Sequence, residues 1–385
     1  MIMSAQEAAK ALRPQILAAR EEAERLRQTP PALAAAITKA GLYQLYLPRS
    51  MGGPETPPLD AFAAVEELSR ADGSVGWCAM IAAAISMSMG RLPVAVGREI
   101  AGTPADYRGA GSARAGGKAW REGAFYRVHG RWNFASGIHN ARWLMCACIM
   151  MDGEQPVASP AGTPVLRSLW VPIESVTVVD TWQVMGMRGT GSQDFTVEDV
   201  LVPVAHSSSA DDPPAETGPL YNPRAWFVHL WTPSAANALG IARGAIDSLM
   251  EIAATEATTM STVTMKDRPL VQTRLAEAEA IVNAARAYVF DAVGRLWAAL
   301  HAGETNTGPL VAQGRLAITH AIHESVRAVD LVFHAAGTNA IYARLPLERA
   351  FRDIHVAVQH ASALPGYYES AGKSFFGLTP ADPGW

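Results

Sequence analysis

From Leu275 to Ala299 the apolar residues return at spacings of three and four: Leu275, Ala278, Val282, Ala285, Val289, Ala292, Leu296 and Ala299. Only an α-helix puts that series on one face. At 1.5 Å per residue the helix is roughly 37 Å long, and its stripe must be buried against other helices. The same rhythm recurs at Ile322, Val326, Val329, Phe333 and Ala336, and again at Leu347, Phe351, Ile354, Val358 and Ala361. With the apolar stretch Ala235–Thr255, this predicts a four-helix bundle within residues 220–385.

The beginning of the chain is helical too. Ser4 and Glu7 fit a capping box, and Leu12, Ile16, Ala19, Ala23 and Leu26 follow on one face, with Pro14 expected to bend or restart the helix. Helices are predicted at Leu33–Gly41 and Leu59–Arg70, separated by a Gly/Pro-rich loop from Pro48 to Pro58. Gly73–Gly90 carries no charge and, at 18 residues, reaches spanning length, but its glycines, serines and alanines predict a buried core helix. Residues 1–106 are therefore expected to form a helical domain.

Between these regions the composition changes. Over residues 107–219 glycines, β-branched residues and aromatics predict strands at Ala124–Val128, Arg131–Ala135, Trp143–Met151, Leu166–Val171, Val176–Asp180 and Phe195–Val204. Ala205–Pro219, with three serines and Asp211-Asp212-Pro213-Pro214, has linker composition. The fold class is α+β: helical domain, β-domain, helical bundle. A small-molecule site is expected where the three meet.

Charged residues make up 18% of the chain, the net charge is −4, and no basic block is present. That argues against nucleic acid and against an anionic membrane surface. Cys78, Cys146 and Cys148 lie in apolar runs and are expected as buried, reduced thiols. No metal-ligand spacing is visible, so no metal is expected. The opening stretch from Met1 to Glu7 lacks a basic segment followed by an apolar core, which suggests a cytoplasmic protein.

Four stretches could carry chemistry. In His129–Trp143, Gly130 reads as a turn, Trp132 and Phe134 as alternate residues of a half-buried strand, and Ala135-Ser136-Gly137 as a small surface with one hydroxyl. A flat ring could lie there with its edge at Ser136, although an ordinary hairpin strand would read the same way. Thr190-Gly191-Ser192 offers two hydroxyls around a flexible glycine, or a plain Gly-rich hairpin. Gly337-Thr338-Asn339 follows a helix and could present N–H groups to an anion, or simply cap the helix. Arg349, Asp353, Val356 and His360 share one helix face at spacings of four, three and four. His360 could serve there as a general base titrating near neutrality, or lie on a solvated face. Phosphate-loop, dinucleotide-binding and nucleophile-elbow motifs are absent from the sequence.

Together these stretches resemble the acyl-CoA dehydrogenase fold family, in its flavin-dependent monooxygenase branch. The matching motifs, in order, are Ala40-Gly41-Leu42 with Pro48 and Gly52-Gly53, Ala71–Trp77, Trp132-x-Phe134-x-Ser136-Gly137, Gly186–Ser192, and Arg349-x-x-Arg352-Asp353 ending at His360. The resemblance implies the oxygenase component of a two-component system. A separate reductase would supply reduced FMN or FAD, O2 would be the co-substrate, and a flavin C4a-hydroperoxide would hydroxylate a small aromatic or polycyclic compound. It also implies that Ser136 lies at the flavin N5, with Trp132, Phe134, Thr190 and Ser192 along the ring. Arg268 and the Gly337-Thr338-Asn339 turn would take the flavin phosphate of a neighbouring subunit in a homotetramer. His360 would act on substrate or peroxide, Trp77 and His139 would border the substrate, and Met145, Met150 and Met151 would help keep the pocket dry. The segment from Val358 to Pro365 has no carboxylate to take an α-proton, unlike a dehydrogenase. A dehydrogenase or oxidase, an amine N-hydroxylase and a non-catalytic assembly protein remain the alternatives.

Overall fold

The computed structural model describes residues 3–103, 106–257 and 262–380; Met1 and Ile2 of the opening stretch lie outside these. Five helices come first: α1 (Ala5–Leu26), α2 (Pro31–Lys39), α3 (Pro58–Ala71), α4 (Gly73–Ser88) and α5 (Val94–Ala101). The capping box forms as expected, with Ser4 Oγ accepting from Glu7 N–H and Glu7 accepting from Ser4 N–H. Pro14 does not break α1, which runs through it. A proline inside a helix costs ~3 kcal/mol, and burial of Ala9, Leu12, Ile16 and Ala23 offsets that cost. Asp72 caps α4 by accepting from the N–H groups of Ser74 and Val75. The spanning-length window Gly73–Arg91 is 78% buried inside the protein, between α3, the later helix Trp226–Thr255 and the sheet, so α4 is a core helix.

An eight-stranded sheet follows: β1 (Gly109–Glu122), β2 (Phe125–Ala135), β3 (Trp143–Asp152), β4 (Gln155–Pro156), β5 (Leu166–Pro172), β6 (Thr177–Val179), β7 (Gln193–Pro203) and β8 (Ser207–Ser208). The order is β6-β7-β2-β1-β3-β5-β8, with β4 paired to β3. Among these pairs β1 with β3 is parallel and the others are antiparallel. Two sequence expectations fail here. Gly130 is no turn: it sits inside β2 at a shift of register against β7, and the two predicted strands on either side of it are one. A Cβ on Gly130 would strike the Cα of Gly117, and one on Gly117 would enter the Trp132 ring, so both positions need the missing side chain. The strand β1 went unread because its Gly/Ala/Arg composition has no apolar alternation, yet it lies at the centre of the sheet. The predicted linker also begins as structure, since Ser207 and Ser208 pair with β5 and Arg167 bonds Asp212.

The last five helices are α6 (Trp226–Thr255), α7 (Pro269–His301), α8 (Gly308–Ala336), α9 (Pro346–Ala357) and α10 (Gly366–Phe375). The first four form the bundle, and α10 lies on α8. The predicted stripe of α7 is buried from Ala278 to Ala299. The bundle and the N-terminal helices share one continuous core, because α3 packs along α6. The sheet keeps its own core around Trp132, Phe195 and Leu144. A third cluster, with Met145, Trp170 and Tyr107, joins the sheet to α4 and α5.

Candidate active site

Where α4, the sheet and the end of α9 meet, hydroxyls collect. Ser136 Oγ lies 2.7 Å from Ser192 Oγ, and Ser192 Oγ lies 2.7 Å from Thr190 Oγ1. Thr190 Oγ1 donates to the Met187 carbonyl at 2.7 Å. From α4, Trp77 Nε1–H donates to Ser136 Oγ at 3.1 Å. The His360 ring stands edge-on to Trp77, centroids 5.2 Å apart. Behind them the Cys78 thiol donates to the Thr190 carbonyl at 3.7 Å, and Gly137 N–H donates to the same oxygen at 2.8 Å. Trp77, Ser136, Thr190, Ser192 and His360 thus come together from four stretches of the chain.

Local backbone explains the arrangement. Strict alternation would put Phe134 on the same face as Trp132. Instead Phe134 adopts φ +64°, uncommon for a bulky residue, and the pairing with β7 shifts between Trp132 and Ala135. Phe134 is therefore turned out and 54% exposed, edge-on to Trp182, with Arg114 6.0 Å from its ring centre. Such strain is retained where the surroundings enforce it, often at ligand sites. Beside it opens a cleft of about 450 Å³ with Arg114, Arg131, Asn133 and Asp194 on its walls.

Trp132 departs from the expected role. It is 1% exposed, stacked on Phe195 with centroids 5.2 Å apart, and its Nε1–H donates to the Ala147 carbonyl at 2.7 Å. Its indole holds the sheet together rather than offering a face to a ligand, and burying it contributes roughly 2–3 kcal/mol. His139 lies against the Gly191 turn, where a Cβ on Gly191 would meet its Cδ2 at 3.0 Å, and partial burial of the ring lowers its pKa, with Asp180 and Arg27 also acting on it. Met145 and Met150 are absorbed in the third cluster and the sheet core respectively.

The polar face of α9 is buried, not solvated. Asp353 is 2% exposed and accepts from the Met187 N–H, holding the loop before the hydroxyls. Met187 needs that hold, because its φ of +55° is left-handed. Around it lie Asp72, Glu24, Arg349 and Arg352, with Arg349 3.6 Å from Asp72 and Arg352 3.6 Å from Glu24. Burial, reinforced by Asp72 and offset in part by the Met187 hydrogen bond, pushes the Asp353 carboxyl up to about 7.

His360 is not on α9, which ends at Ala357. It begins the following turn, where its Nδ1 accepts from Ser362 N–H at 3.2 Å and lies 2.8 Å from Ser362 Oγ. Those hydrogen bonds assign the proton of the neutral ring to Nε2. Burial lowers the ring to about 4. A neutral imidazole carrying Nε2–H at pH 7 is a hydrogen-bond donor, so the expected base titrating near neutrality is corrected. The signal lay in Ser362, two residues on.

Arg268 and the Gly337-Thr338-Asn339 turn form a group of their own. Arg268 is the N-cap of α7, directly after the Met265–Asp267 turn. Asn339 Nδ2 donates to the Ala257 carbonyl at 3.2 Å and lies 3.3 Å from Met265 Sδ, so the two turns touch. Gly337, φ +57°, also ends α8, as the capping reading expected.

Helical domain, central sheet and bundle, with a hydroxyl-lined junction between them, define the acyl-CoA dehydrogenase fold. The acyl-CoA dehydrogenase N-terminal domain matches residues 2–93 and the C-terminal domain matches residues 233–365. The chain belongs to this family. Relatives within it include flavin-dependent oxygenases. The chain is 29% identical to indole-3-acetate monooxygenase of Pseudomonas putida, over 90% of this chain and 86% of the relative. It is 28% identical to the oxygenase subunit HsaA, a flavin-dependent monooxygenase of Rhodococcus jostii, over 97% and 98%. The structure of XiaF from Streptomyces, in complex with FADH2 and glycerol, superposes with a TM-score of 0.88 at 26% identity, over 98% of this chain and 96% of that one.

Proposed function

We propose that this chain is the oxygenase of a two-component flavin-dependent monooxygenase. It takes reduced FMN or FAD from a separate reductase and uses O2 to hydroxylate a small aromatic or polycyclic substrate. The observation that carries this reading is the hydroxyl line at Ser136 beside the outward-turned Phe134. These residues fit a flavin. Phe134 presents a ring, Ala135-Ser136-Gly137 leaves a low surface, and a Cβ on Gly137 would meet only the Cys78 Sγ, at 3.8 Å. When bound, the flavin supplies two electrons and the site of oxygen activation.

The residues of the chain do the rest. Phe134 and the small residues orient the ring plane, and Ser136 meets its polar edge. The apolar α4 wall and Trp77 keep water away from the reacting atoms. His360 donates from Nε2 to a substrate oxygen and so polarises it. Arg268, with Gly337, Thr338 and Asn339, receives the phosphate of a flavin held by a neighbouring copy in a cytoplasmic homotetramer. Residues 1–106, 107–219 and 220–385 are the three units of the subunit.

The test is to mix the protein anaerobically with reduced FMN or FAD, then with oxygenated buffer, and to follow absorbance by stopped flow. The expected result is a transient spectrum unlike either reduced or oxidised flavin, and phenols or fused aromatics recovered one oxygen atom heavier. Direct reoxidation with no transient, and every aromatic recovered unchanged, would move the assignment to an oxidase or dehydrogenase.

A further inference from the structure

The hydroxyl line at the site has only one possible direction. The Met187 carbonyl can only accept, so Thr190 Oγ1 spends its single hydrogen there. Ser192 must then donate to Thr190, since Thr190 has no hydrogen left for their 2.7 Å contact. Ser136 must in turn donate to Ser192 across 2.7 Å. At the other end Trp77 Nε1–H can only donate, and it donates to Ser136. All three hydroxyls are nearly enclosed, 4%, 1% and 3% exposed at Ser136, Thr190 and Ser192, so water does not compete for their hydrogens. Ser136 has thus given away its hydrogen and accepted one, and it keeps a single unused lone pair.

We infer that Thr190, Ser192 and the Met187 carbonyl fix Ser136 as a hydrogen-bond acceptor, and that this line is what sets the discrimination between reduced and oxidised flavin at the site. The inference rests on the proposed placement of the flavin N5 edge at Ser136. Reduced flavin carries a hydrogen on N5 and can donate to that lone pair. Oxidised flavin has only a lone pair on N5, and two lone pairs then face each other. Ser136 could donate to oxidised N5 only by leaving one contact of the line without a hydrogen, either its own with Ser192 or, if every hydroxyl turned round, the last with Met187. In either case two lone pairs face each other across 2.7 Å. One misdirected buried hydrogen bond corresponds to a preference of roughly tenfold or more. Thr190, Ser192 and the Met187 carbonyl are positioning groups that act through Ser136. Asp353 belongs with them, because it holds the Met187 peptide in place.

The test measures the dissociation constants of reduced flavin, anaerobically, and of oxidised flavin, each with FMN and with FAD, by equilibrium titration. Wild type is expected to bind the reduced form at least about tenfold more tightly. Thr190→Val removes the end of the line and frees the Ser192 hydrogen, so the ratio is expected to collapse, chiefly through tighter binding of oxidised flavin. Ser192→Ala, which frees the Ser136 hydrogen directly, is expected to do the same if the valine variant folds poorly. Thr190→Ser keeps the donor and should restore the preference. Wild type binding both forms equally overturns the inference, as does an unchanged ratio in the valine and alanine variants, and in either case the flavin site itself stands. If wild type binds neither form, the reading of the site as a flavin site fails.

Discussion

Asp353→Asn separates the hydrogen bond of this residue from its charge. The amide keeps an oxygen for the Met187 N–H but no longer titrates. In the folded protein the Asp353 carboxyl is pushed from 3.8 to about 7, with burial the main cause and Asp72 the next. In the unfolded chain it titrates near its ordinary value. Between those values the native state holds a proton that the unfolded state has released, so stability falls as pH rises. The loss is ~1.4 kcal/mol per pH unit well between the two values, or roughly 2.3 kcal/mol from pH 5 to pH 7, and it levels off above the folded value. Below pH 4 both states are protonated and this contribution is fully present. Urea unfolding of wild type and Asp353→Asn at pH 5 and pH 8, followed by tryptophan fluorescence, reads the difference directly. The variant should gain on wild type by roughly 2–3 kcal/mol over that interval. The same difference at both pH values would show that Asp353 ionises freely where it sits, and would refute the reasoning.

Two further predictions concern the site and its support. His360, held neutral down to about pH 4, should contribute no inflection to the hydroxylation rate between pH 6 and 8, while His360→Ala should lose product with an unchanged circular dichroism spectrum. An inflection near 6.5 that vanishes in the variant would restore the role of base. Gly117→Ala drives a methyl into the Trp132 ring and should cost about 1–3 kcal/mol, seen as a lower urea midpoint, and a midpoint equal to wild type would mean that the sheet core yields freely.

The helices were legible because apolar spacing is a local property. The stripes of α7 and α8, the capping box at Ser4 and the buried state of α4 can all be read from neighbouring residues. The centre of the sheet cannot. In β1 the glycines answer to Gly130, Trp132 and Met145 on adjacent strands, and nothing in their own order announces a strand. The site divides in the same way. Ser136, Thr190, Ser192, Trp77 and His360 stand out in their motifs, and the fold brings them together. Trp132 and Phe134 looked equivalent by alternation, and only a positive φ at Phe134 sends one inward and the other outward. His360 looked like the end of a helical face, but Ser362 captures its Nδ1 and places it in a turn. Asp353 read as half of a polar stripe, because its partner, the Met187 amide, lies 166 residues away.

That separation bears on the order in which the protein acquires its pocket. The hydroxyl line ends on the carbonyl of Met187, whose N–H Asp353 holds, and Asn237 ties the bundle to Ser69 and Gly73 across comparable stretches, 168 and 164 residues. A growing chain can form its first helices and its sheet while the bundle is still unmade, since domains fold as units from the N-terminus onward. Contacts this distant are entropically late. The loop carrying Thr190 and Ser192 is tied early to Gly137 and Cys78, but its anchor at Met187 arrives only once α9 has been synthesised and docked, so a nascent subunit that has finished its sheet has a cofactor site still lacking that anchor.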